Sequence, residues 1–71
     1  MNGLKLRSIM VMHGHTNKDL AELLGISEQS VSNKINERGT EFRQGEIAKI
    51  KEKYNLTAEQ VEDIFFDSKV S

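Results

Sequence analysis

The sequence predicts an all-α fold of four to five short, compactly packed helices, and three observations carry that expectation. Apolar residues recur at helical spacing, and no segment alternates apolar and polar residues for long. Proline is absent. Three Phe and one Tyr are too few to fill a β sandwich or barrel. At 71 residues the chain reads as one domain spanning 1–71. A chain of this size buries only about 60–65% of its unfolded surface, which leaves no room for a catalytic domain or a large cofactor pocket. With 37% hydrophobic and 30% charged residues the composition is that of a soluble globular protein. Without cysteine there is no disulfide framework, no thiolate nucleophile and no Cys-type zinc site. No apolar run approaches the roughly 18–20 residues that span a bilayer, and the N-terminus lacks a signal-peptide core, so a cytoplasmic protein is expected.

The first helix is expected from about Leu4 to His13, with Leu6, Ile9, Met10 and His13 on one stripe flanked by Val11 and Met12. Gly14 follows as a left-handed cap. Thr16 is a natural N-cap for the second helix, with Asp19 three residues on in a capping-box-like pattern. Leu20, Ala21 and Leu24 form its inner face, and Gly25 ends it. Ser27 then caps a third helix running from Glu28 to about Asn36, whose only large apolar residues are Val31 and Ile35. After a loop containing Arg38, Gly39 and Thr40, a fourth helix spans roughly Gln44 to Tyr54. Ile47, Ala48 and Ile50 are expected inward there, and Lys49, Lys51 and Lys53 outward. Thr57 and Gln60 form the capping box of a fifth helix, about 57–66, carrying Val61, Ile64, Phe65 and Phe66. Residues 67–71 read as a tail.

The informative stretch is 16–36, TNKDLAELLGISEQSVSNKIN. Ala21 is small enough for two helices to cross closely. Gly25 accepts a backbone conformation that a side chain penalises. Ile26 and Val31 pin the turn and the third helix to the core. Two short helices joined by such a glycine turn make a helix-turn-helix. The third helix is crowded with Glu28, Gln29, Ser30, Ser32, Asn33 and Lys34, which leaves a narrow apolar contact. Short polar side chains near a helix N-terminus suit the reading of base edges: Gln and Asn pair bidentately with adenine, and Glu accepts from the cytosine amino group. Net charge argues less strongly. The total is −1, divided as +1 over residues 1–43 and −2 over residues 44–71.

This stretch resembles the helix-turn-helix of the phage repressor and Cro family, also called the XRE or lambda-repressor-like family. The similarity runs from Leu6 to about Phe66. It includes the first helix ending at Gly14, Lys18-Asp19-Leu20-Ala21, the Leu24-Gly25-Ile26-Ser27 turn and Val31-Ser32. Glu46-Ile47-Ala48-Lys49-Ile50 and Leu56-Thr57-Ala58-Glu59 are similar to small phage- and mobile-element-borne regulators. The resemblance implies a cytoplasmic, nucleoid-associated transcriptional regulator that binds double-stranded operator DNA as a homodimer. Its recognition helix would lie in the major groove. It implies base contacts at Gln29, Ser30 and Asn33, with Glu28 and Ser32 beside them. Phosphate contacts are implied at Thr16, Asn17 and Lys18, with Lys34, Arg38 and Arg43 as backbone clamps. One departure concerns the position three after Val31. Many family members place a core residue there; this chain has Lys34, followed by the apolar Ile35.

Other chemistries find little support. His13 and His15 flank Gly14 without a third ligand, so no metal or cofactor is expected. Neither histidine has a carboxylate and oxyanion-hole motif beside it, so an enzyme is not expected, nor a small-molecule ligand or a membrane. Phe65 and Phe66 project about 100° apart on a helix. One is expected in the core, and the other, with Val61 or Ile64, is a candidate dimer contact. The competing reading is a protein-interaction module on the same scaffold, such as an antitoxin, anti-repressor or assembly factor.

Overall fold

The computed structural model describes residues 1–66; the expected tail at 67–71 lies outside them. Five α-helices follow in order: α1 Gly3–Met12, α2 Asn17–Leu24, α3 Glu28–Ile35, α4 Gln44–Lys53 and α5 Ala58–Phe65. Among the described residues no strand is formed, and no helix is long and apolar enough to cross a membrane.

Each helix contributes one essentially fully buried side chain to a single core: Leu6, Leu20, Val31, Ile50 and Ile64. Around them pack Met10, Ala21, Leu24, Ile35, Phe42, Tyr54 and Leu56. Burying one such aliphatic side chain contributes about 1.5–3 kcal/mol, so this shared centre joins five helices too short to persist alone.

The expected caps set the helix boundaries. The Thr16 N–H and hydroxyl both donate to the Asp19 carboxylate, at 2.8 and 3.1 Å. Gly25 closes α2 in the left-handed region with φ 72°, its N–H donating to the Ala21 carbonyl at 2.8 Å. The Ser27 hydroxyl accepts the Ser30 N–H at 3.1 Å. Thr57 and Gln60 exchange reciprocal bonds of 2.8 and 3.1 Å at the start of α5. The chain start is pinned as well: the Asn2 N–H donates to the Ile64 carbonyl at 2.6 Å. At Gly3 a Cβ would lie 3.0 Å from the Ile35 carbonyl oxygen, so α1 begins pressed against the end of α3.

Several expectations are corrected. His13 is the exposed C-cap of α1 rather than part of its inner stripe; Val11 and Met12, which flank that stripe, are exposed. Ala48 is exposed, because two helical residues carry it about 200° from the fully buried Ile50. Phe42, in the loop before α4, joins the core, where its ring meets Phe65 edge-on at 5.7 Å. Lys34 is buried.

Candidate nucleic-acid interface

The α2–α3 unit owes its geometry to small and apolar residues in its interior. Ala21 is 5% exposed where α2 meets α3, and α2 and α3 form the most extensive helix pair of the fold. Val31, Lys34 and Ile35 are the only buried residues of α3. Glu28 and Gln29 are exposed on its outer face, and Ser30, Ser32 and Asn33 are half-buried.

These polar groups are organised among themselves. The Gln29 amide donates to the Asn33 side-chain oxygen at 3.1 Å. The Ser27 hydroxyl donates to the Ser30 hydroxyl at 3.1 Å. Ser32 is engaged by Asn36, whose amide donates to the Ser32 carbonyl at 3.0 Å. Glu28 stands in the first turn of α3, where the positive end of the helix dipole favours a carboxylate.

Lys34 corrects the sequence expectation. Its side chain is 9% exposed, and its ammonium donates to the Glu41 carbonyl at 3.1 Å and pairs with the Glu46 carboxylate at 3.2 Å. It therefore fastens α3 to the loop before α4 and to the start of α4, its charge already matched by Glu46 in the wall of the groove beside α3. The same Glu46 oxygen accepts the Arg43 N–H at 2.8 Å, so one carboxylate caps α4 and holds the buried ammonium. Arg38 and Arg43 are exposed, and with Ser30, Asn33, Thr40 and the Lys34–Glu46 pair they line one open groove beside α3. Lys18 is exposed at the start of α2. Among the described residues none of Lys18, Arg38 and Arg43 forms an ion pair.

The N-terminus of α2 is braced from below. His15 Nδ1 lies 2.9 Å from the Tyr54 hydroxyl, and the His13 ring packs 4.8 Å from the Tyr54 ring. Burial, with a smaller push from the Asp19 charge, raises the Tyr54 phenol above its ordinary value. Asp19 is shifted the other way. The Thr16 N–H, then the Thr16 hydroxyl, hold its carboxyl below the usual range. Exposed Thr16 and half-buried Asn17 stand at this braced end. Among the described residues no group of three or more His, Cys, Asp or Glu side chains is placed to hold a metal ion.

Sequence reasoning missed Glu46 as the partner of Lys34 and Tyr54 as the brace of the His15 turn. A basic residue at a core-spaced position of α3 was the available signal for the first. No local pattern marks the second, since His15 and Tyr54 are 39 residues apart. Of the residues expected at a dimer contact, Val61 and Phe65 are partly buried against the core and Phe66 is 57% exposed.

No curated protein and no solved structure matches the chain. A family model described as "Protein of unknown function (DUF739)" matches residues 4–68. The chain is therefore a member of the DUF739 family.

Proposed function

We propose that this protein is a sequence-specific double-stranded DNA-binding transcriptional regulator of the Cro or short-repressor type, carried by a phage or mobile element. In this reading α3 enters the major groove, and the N-terminus of α2 meets the phosphate backbone. The observation that carries it is the outer face of α3. Its Gln29, Ser30 and Asn33 side chains carry hydrogen-bonding groups outside the core, and Arg38 and Arg43, which form no ion pair among the described residues, border the groove that Ser30 and Asn33 line. Polar groups of this kind read base edges, while exposed cations bind phosphate. Lys18 and the first turn of α2 supply the second phosphate anchor.

The regulator acts as a homodimer on DNA. The described residues measure 31 × 27 × 21 Å, so two copies side by side fit half-sites one helical turn apart, about 34 Å. In this reading the exposed Phe66, with the partly buried Val61 and Phe65 of α5, supplies the apolar contact to the second copy. A net charge of −1 gives the protein little affinity for random DNA and leaves binding to locally placed cations.

Selection from a random duplex pool tests this. Enrichment of a palindromic sequence is expected, with binding reduced by Gln29→Ala and Asn33→Ala. Failure to enrich any sequence at low salt contradicts it. A second reading, the protein-interaction module, is favoured by one observation: Leu4, Val11 and Met12 of α1 are 73–79% exposed. That reading predicts a stable complex with a protein partner that Val11→Glu disrupts, and no enriched duplex.

A further inference from the structure

Resting on the DNA-binding reading, we infer that Gln29 and Asn33 form one coupled reader that selects adenine over guanine at one base pair and a hydrogen-bond acceptor edge at its neighbour. The two residues stand one helical turn apart on the outer side of α3, and the Gln29 Nε2 donates to the Asn33 Oδ1 at 3.1 Å.

That bond changes what each amide offers. A free glutamine carries two N–H donors and one carbonyl acceptor. It can present a donor and an acceptor to the N7 and N6 amino group of adenine, or turn both donors toward N7 and O6 of guanine. In the couple one Gln29 donor is spent on Asn33, so a single N–H and the carbonyl remain. Those two groups satisfy the adenine edge and fall one donor short of guanine. Asn33 is altered in the opposite sense. With its oxygen engaged, it faces outward chiefly through its two N–H donors, which require acceptors: O6 and N7 of guanine, or O4 of thymine.

The neighbouring polar residues do not share this role. The Ser30 hydroxyl accepts from the Ser27 hydroxyl at 3.1 Å, and the Ser32 hydroxyl accepts from the Asn36 amide at 3.4 Å. Among the five candidate readers, Gln29 and Asn33 are the pair joined side chain to side chain.

Two variants separate the coupling from simple contact loss. Asn33→Ala removes the acceptor and frees Gln29 to serve guanine. Asn33→Asp keeps an acceptor for Gln29 but supplies no donors, so it preserves the adenine choice and moves the neighbouring preference to a donor edge, the amino group of cytosine or adenine.

The experiment measures binding of the full chain to its pool-selected duplex and to the A-to-G change at the base pair whose preference disappears in Gln29→Ala. Wild type and Asn33→Asp are expected to favour adenine by roughly 5- to 150-fold, the span of one good bidentate contact. Asn33→Ala is expected to bind both duplexes nearly equally, with circular dichroism verifying that it remains folded. Full discrimination retained in Asn33→Ala, loss of it in Asn33→Asp, or guanine preferred opposite Gln29 overturns the coupling while DNA binding stands. A wild-type protein that selects no sequence overturns the DNA-binding reading, and the coupled reader with it.

Discussion

The Lys34 ammonium lies 3.2 Å from the Glu46 carboxylate, and this nearly buried pair ties the polar helix α3 to the first turn of α4. The contact stands on the inner side of α3, three positions after the fully buried Val31 and next to the buried Ile35. It substitutes an ion pair for packing and so makes the position of α3 depend on charge.

Removing one partner leaves the other stranded. Glu46→Ala is expected to lower stability by about 3 kcal/mol, because it strands a buried ammonium and also removes the Arg43 cap bond. The double variant Lys34→Met/Glu46→Gln is expected to recover most of that loss, since an apolar replacement of similar volume needs no counter-charge. Urea unfolding of the single and double variants measures both.

The cations differ in their expected effect on DNA. Lys18→Ala, Arg38→Ala and Arg43→Ala should each reduce the salt dependence of binding by about one released counterion. Lys34→Ala should leave that slope unchanged, because Glu46 already neutralises its ammonium. Anisotropy titrations across a salt series distinguish the two classes.

Glycine is required for two different reasons. Gly25 sits at φ 72° with no atom within 4 Å of a built Cβ, so Gly25→Ala costs conformational energy alone, about 1–2 kcal/mol. Gly25→Asn should cost less, because asparagine tolerates this region. At Gly3 the obstacle is contact: a methyl group would press on the Ile35 carbonyl and its Cγ2, 3.0 and 3.1 Å away. Thermal melts of Gly25→Ala and Gly25→Asn show the first effect, and a Gly3→Ala melt shows the second.

Asp19 links folding to acid. Its carboxyl titrates below its ordinary value when folded, so its stabilisation is fully present above about pH 4 and is lost as pH falls through the folded value. Asp19→Asn should therefore lose less thermal stability than wild type between pH 5 and pH 3. Melting temperatures at the two pH values measure the difference.

Much of this architecture is legible in local sequence. Thr16, Gly25, Ser27 and Thr57 mark helix ends through chemistry confined to three or four residues, and the fully buried Leu6, Leu20, Val31 and Ile64 lie on the faces that spacing predicts. Phe42 escapes because a loop residue has no periodicity to betray its burial. Lys34 misleads because a lysine is ordinarily solvated, and its reversal depends on Glu46, twelve residues away. Ala48 misleads because alanine suits either side of a helix. The outer face of α3 is legible as a set of polar residues. Its internal pairing of Gln29 with Asn33 becomes visible only when side-chain directions are known.

The most direct test follows backbone amide NMR signals while the pool-selected duplex is titrated into the labelled protein. DNA docking through α3 predicts the largest shifts at Gln29–Asn33, at Thr16–Lys18 and around Arg38 and Arg43. Shifts concentrated instead on Leu4, Val11 and Met12 of α1, with α3 unperturbed, would contradict it.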